Sequence, residues 1–354
     1  MIDLKKQILE MSRQDQTDPL SPWFDGQLDD LIDGDLYGYN TVVFPEIKDL
    51  YLVGNSIIDN LKDYRKQTGV STAVIGMSGG VDSALAAVLF RDAGWNVIGV
   101  TMPIYQDPED TERGKEACKE LGIEHKHMDL THQYEFFFSS QSGLDFGLVD
   151  PDLRDDKSVK IRLGNIRARL RMITLYNLAA ANNGLVISTD NYSELAMGFW
   201  TLHGDVGDVS PIQSLGKSWE VPMLAKLWKV PESIWKAKPT DGLGVDDGDE
   251  AQFGFTYLEL DIMLFSIAKL VGDGLASDNL ENAGGINKKN IAKALSIEFD
   301  PHAVDVFELV MQRIGSTWFK RMNPINIVHP LDGRRYVELD HLDEALFHPD
   351  VVGG

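Results

Sequence analysis

The chain has 354 residues, 43% of them hydrophobic and 25% charged, enough to bury a substantial core as one large or two small globular domains. Its 33 Lys and Arg against 55 Asp and Glu give a net charge of −22, which argues against a general nucleic-acid binder that works by neutralising phosphates. The opening MIDLKKQILEMSRQDQ has no continuous apolar core or small-residue cleavage site, and no apolar run approaches the roughly 20 residues of a membrane span, so a soluble, unexported, cytoplasmic protein is expected.

Residues 1–45 are acidic, broken by Pro and Gly (DPLSPWFDG, LIDGDLYGYN), and show no sustained helical or strand period. They read as an N-terminal extension of unassigned role. From 46 to 66, Ile47, Leu50, Val53, Ile57, Leu61 and Tyr64 recur at three- and four-residue steps, predicting an amphipathic helix that ends near Gly69. A β-type run at 73–77 leads through Ser78-Gly79-Gly80 into a helix over 82–93, stopped by Gly94, and a second apolar run follows at 96–102. Strand, helix and strand with short connections make a βαβ unit and hence a parallel sheet. A helix at 108–121 carries Cys118, the sole cysteine, which excludes an intramolecular disulfide and a CxxC metal site and reads as a buried spectator. A short run at 124–128, a long helix at 165–182 and a strand at 184–188 continue the alternation. After Pro211 the chain turns mainly helical, with segments at 220–227, 257–270, 288–294 and 301–320. The fold class is therefore α/β, a doubly wound, Rossmann-like parallel sheet with a helical C-terminal part.

Chemistry concentrates first in Ser78-Gly79-Gly80-Val81-Asp82-Ser83, between a buried strand and a helix start. Glycines there let backbone N–H groups approach an anion, serines add hydroxyl donors, and the helix N-terminus adds partial positive charge. No Gly-Lys-Ser/Thr follows, so the loop is not a Walker A motif, nor is it a dinucleotide GxGxxG.

SGGVDS after an apolar strand resembles the pyrophosphate loop of the N-type ATP pyrophosphatases, enzymes of adenine-nucleotide alpha-hydrolase-like fold that cleave ATP between its α and β phosphates and adenylate a substrate oxygen. Further stretches resemble the ammonia-dependent NAD synthetases. They are Gly164-Asn165-Ile166-Arg167-Ala168-Arg169-Leu170-Arg171-Met172, similar to the family's GN-x-x-AR-x-RM helix; Ser188-Thr189-Asp190-Asn191-Tyr192-Ser193-Glu194, running on to Gly204-Asp205-Val206-Gly207-Asp208; Leu215-Gly216-Lys217; Lys238-Pro239-Thr240; and Lys320-Arg321-x-x-Pro324. The resemblance covers about 46–324, leaving 1–45 and a C-terminal tail at 325–354 unmatched.

The resemblance implies ATP contacts from Gly76, Ser78, Gly79, Gly80, Val81, Asp82, Ser83, Thr189, Lys217 and Thr240. It implies Mg²⁺ held by Asp82 and Glu194, and deamido-NAD contacts from Arg169, Asp208, Phe319 and Lys320. Asp205, Asp208 and Lys217 take the catalytic positions, with either aspartate near the ammonia. The implied reaction adenylates the nicotinate carboxylate of deamido-NAD and displaces AMP with ammonia, giving NAD. Glutamine-dependent members carry a further amidase domain with a nucleophilic cysteine, which the 45-residue extension is too short to be; free ammonia is therefore the expected nitrogen source. A homodimer is implied too. Leu202 stands where many members have Lys, Phe319 where they have His, and the Asp205–Asp208 spacing is one residue shorter than the common form. A GMP-synthetase-like amidotransferase and a non-catalytic ATP sensor are the competing expectations.

Overall fold

The computed structural model describes residues 2–12, 19–32, 44–138, 157–237, 248–272 and 288–322. Four strands, β1 (Thr72–Gly76), β2 (Asn96–Thr101), β3 (Glu124–His127) and β4 (Gly184–Val186), form one parallel sheet in the order β3-β2-β1-β4. The side chains of β1 alternate as a pleated strand requires: Ala73 and Ile75 enter one core, Val74 the other. Both faces of the sheet are therefore covered, the doubly wound arrangement expected.

On the first face pack α3 (Ile47–Thr68), α4 (Val81–Asp92), α5 (Pro108–Leu121), α9 (Glu220–Leu227), α12 (Tyr257–Gly272) and α14 (Pro301–Ser316). On the second, α6 (Thr131–Phe137) and α7 (Lys157–Ala181) cover Val74, Ile98 and Val100 with Tyr134, Leu170, Met172 and Leu175. Shorter helices complete the chain: α8 (Tyr192–Met197), α10 (Glu232–Trp235), α11 (Asp249–Phe253) and α13 (Lys288–Ala294). None of the described helices is long and apolar enough to cross a membrane. The left-handed Gly69 and Gly94 (φ 69° and 82°) end α3 and α4 as the sequence predicts.

Three elements differ from the sequence reading. The helix α7 starts at Lys157, well before 165, because its first two turns are largely polar and carry no apolar stripe to count. The seven-residue α6 is too short to show a period. Most consequential, the extension contains α1 (Ile2–Ser12) and α2 (Pro22–Ile32), each only three turns long and flanked by breakers. Phe24, Leu28 and Leu31 of α2 are buried in the same core as the sheet, against α12. Asp300 ties this layer down: Oδ2 accepts Ser21 Oγ (2.6 Å) and Trp23 N (3.0 Å), while Oδ1 caps α14 at His302 N (3.0 Å). The tail at 325–354 lies outside the described residues.

Phe24 is fully buried, so Phe24→Ala is expected to lower stability by about 3–5 kcal/mol. Urea unfolding followed by circular dichroism checks this; an unchanged midpoint would show that α2 does not belong to the folded core.

Candidate active site

The sheet order reverses at β1, with β2 and β3 on one side and β4 on the other, so a crevice opens beyond the carboxyl end of β1. There Gly76 ends the strand and residues 77–80 turn into α4. Gly79 adopts φ +89°, and a Cβ at that position would lie 2.2 Å from the Asp110 carbonyl oxygen; only glycine fits. The loop is braced internally: Gly80 N–H donates to Ser78 Oγ (3.2 Å) and Ser83 Oγ to the Gly80 carbonyl (3.1 Å). Gln106 braces it from outside by donating to the Ser78 carbonyl (3.2 Å).

A cavity of about 590 Å³ lies over this loop. It is lined by Gly76, Ser78, Gly79, Gly80, Val81, Asp82, Thr189, Glu194, Asp205, Lys217 and Lys320, all anticipated from sequence. Its centre is an ion cluster. The buried Lys217 ammonium is bonded to Asp82 Oδ2 and stands 3.7 Å from Glu194 Oε1. Asn191 fixes both acids: its amide donates to Asp82 Oδ1 (3.1 Å), and its capping box with Glu194 starts α8. Two carboxylates side by side are hard oxygen donors of the kind a magnesium ion takes. Among the described residues no larger cluster of metal-ligating side chains occurs.

A second acidic pair borders the same cavity. Burial pushes Asp205 up to about 7 and Asp190 up to about 6, and Asp190 adds to the shift of Asp205. Both Asp205 oxygens accept the Thr201 N–H (3.0 and 3.1 Å), while Lys320 and Arg169 pull the shift back. Lys320 Nζ donates to the Gly198 carbonyl (2.7 Å) and rests over the Trp200 ring, 5.2 Å from its centre. The Arg171 guanidinium, lowered to about 10 by burial, projects into the cavity while its Nε donates to the Met102 carbonyl (3.0 Å).

Other anticipated residues stand outside the cavity lining. Asp208 is occupied by the sheet, accepting Val186 N–H (2.8 Å) and Tyr176 O–H (2.9 Å); Gly207 beside it lets the backbone approach β4, since a Cβ there would meet the Val186 carbonyl at 2.5 Å. Arg169 is exposed and donates to the Leu202 carbonyl (3.2 Å), and Phe319 is 40% exposed. Ser83 is buried beneath the loop, and Thr240 and Pro324 lie outside the described residues. Sequence reading assigned no site role to Asp190, to the part-buried Glu220 or to the buried Asp261. The signal for Asp261 is an acid within the apolar run of α12, YLELDIMLF.

Substituting Gly79→Ala forces the loop off the Asp110 carbonyl and is expected to abolish measurable ATP binding by calorimetry while the fold survives. A second expectation concerns pH. The folded chain binds protons on Asp190, Asp205, Asp261 and Glu220 (raised to about 6, 7, 6 and 8) that the unfolded chain has released, so stability falls as pH rises from 5 to 8. Asp205→Asn flattens that slope in urea titrations; an unaltered slope would assign the proton uptake elsewhere.

Fold and site together define a nucleotide-binding α/β protein with its phosphate loop at the switch point of a parallel sheet. The family profile described as NAD synthase matches residues 53–298, and the chain belongs to that family. A relative from Finegoldia magna, an NH₃-dependent NAD⁺ synthetase, is 34% identical over 68% of this chain and 93% of its own. Among solved structures, NMN synthetase from Francisella tularensis superposes with a TM-score of 0.60 at 25% identity, over 81% of this chain and 100% of its own. NH₃-dependent NAD synthetase from Campylobacter jejuni gives 0.55 at 25%, over 79% and 100%. The family match does not favour the GMP-synthetase-like or sensor expectations.

Proposed function

We propose that this chain is a C–N bond-forming ligase that converts deamido-NAD to NAD with ATP and ammonia, releasing AMP and pyrophosphate. The observation that carries the reading is the ion cluster Asp82–Lys217–Glu194 set against the glycine loop in one cavity. A carboxylate oxygen leaves poorly, so amide formation needs activation. In the first step the nicotinate carboxylate attacks the α-phosphorus of ATP and pyrophosphate departs into the loop at 78–83. The Lys217 ammonium, held at the mouth of that loop, stabilises the charge that gathers on the leaving oxygens. Asp82 and Glu194 would hold a magnesium ion, whose contribution when bound is to neutralise phosphate charge.

In the second step ammonia attacks the acyl carbon and AMP leaves. Ammonium must first lose a proton, and Asp205, titrating near 7 because of its burial, has the affinity to take it near neutral pH. With Asp208 occupied by β4, Asp205 is the aspartate assigned to the nitrogen. Arg171 and Lys320 supply positive charge for the dinucleotide's phosphates, and Thr189 a hydroxyl. Arg169, exposed beside this wall, acts on Asp205 through its charge. Free ammonia as nitrogen source, a cytoplasmic setting and a homodimer belong to the same reading.

Purified protein with Mg-ATP, deamido-NAD and ammonium is expected to form NAD and AMP in equal amounts, with kcat lowered about 10²–10³-fold in Lys217→Ala. Asp82→Ala and Glu194→Ala are expected to raise the magnesium concentration needed for half-maximal rate. Nicotinate mononucleotide runs in parallel, because the Francisella superposition makes it the alternative acceptor. Turnover of the mononucleotide alone would transfer the assignment to that substrate; ATP cleavage with neither would overturn it.

A further inference from the structure

Behind the ion cluster lies a carboxylate with no part in the chemistry above. Asp261 is fully buried in α12, in a stretch where Leu258, Leu260, Ile262 and Met263 are buried too. Oδ1 accepts Ser193 Oγ at 2.5 Å, while Oδ2 accepts both the N–H (2.8 Å) and the hydroxyl (2.7 Å) of Ser218. Ser193 Oγ in turn accepts the Lys217 N–H at 3.0 Å. Ser193 directly precedes Glu194 and Ser218 directly follows Lys217, so one carboxylate grips both segments that carry the cluster. Gly216 permits the approach, since a Cβ there would meet Asp261 Oδ2 at 3.0 Å and the Phe265 ring at 2.9 Å. Glu220 Oε2 accepts the Gly216 N–H in the same turn. An apolar residue at 261 would serve the core at least as well, because buried charge is often neutral or costly for stability; its grip on two functional segments gives the acid another use.

We infer that Asp261 is a positioning residue that sets the separation of Lys217 from Glu194 and so aims the lysine ammonium at the leaving phosphates. This role rests on the ligase reading above. Asp261→Asn keeps the side-chain volume but cannot accept all three bonds. In the full-length protein it is expected to lower kcat for NAD formation about 10²-fold with KM for deamido-NAD unchanged, since misplacement by an ångström has that effect. In a Lys217→Ala background the same substitution should remove no further activity, because the residue acts through the lysine. Equal losses in both backgrounds, or a lowered melting temperature with wild-type kcat, would overturn the role while leaving the ligase reading intact. Should Asp261→Asn fail to fold, Ser218→Ala removes one donor and keeps the charge. It is expected to cost kcat about 10-fold, again with no further loss beside Lys217→Ala, and a wild-type kcat there overturns the inference. A wild-type protein that forms no NAD overturns the ligase reading and this role with it.

Discussion

One buried ammonium, Lys217, holds together three segments far apart in sequence: the loop after β1, the start of α8 and the turn before α9. Away from bulk water such contacts are strong, and removing one partner weakens the hold on the others. Asp82 and Glu194 converge on this ammonium, and two hard carboxylates side by side are the donors that a cation arriving with a polyphosphate takes.

The parallel sheet explains why these groups converge. Each strand delivers its following loop to the same edge, and the reversal of strand order at β1 parts the loops enough to admit a ligand. The loop at 77–80 follows β1, and Thr189, Asp190 and Glu194 follow β4, its hydrogen-bonded neighbour. Lys217 arrives separately, held by Asp261 from α12, so the helical C-terminal part contributes directly to the geometry of the nucleotide site.

What the sequence disclosed and what it concealed follow one physical rule. The elements at 46–66, 73–77, 82–93, 96–102 and 108–121 were legible because their apolar residues repeat over several turns or form a bounded β-type run, and the phosphate loop because glycine is required where backbone must pass close to backbone. The helices α1 and α2 are too short for a period to rise above the acidic background, yet Phe24, Leu28 and Leu31 are buried and anchor the second of them. Roles set by tertiary contact were less accessible still. Asp208 sits in the same acidic turn as Asp205, and only the fold shows that one satisfies the Val186 N–H while the other faces the cavity. Asp261, seen as a sequence, is a polar interruption of a helix; its meaning depends on Ser193 and Ser218, which approach it from 68 and 43 residues away.

A chain of net charge −22 must still receive polyanions, and the distribution of charge shows how. The cavity gathers Arg113, Lys157, Arg171, Lys217, Arg313 and Lys320 against Asp82, Asp110, Asp190, Glu194 and Asp205, so it lacks the acidic excess of the whole. Two of those acids, Asp190 and Asp205, are raised by burial to about 6 and 7, and partial protonation of Asp205 near neutrality reduces the negative charge further. Binding phosphates nearby would drive Asp205 higher still and leave it protonated, unable to accept a proton from ammonium. Lys320 and Arg169 oppose this, because their charges lower Asp205. In the proposed reaction Lys320, the cation given to the dinucleotide, thus also helps to keep Asp205 titratable, which would tie substrate recognition to the proton transfer.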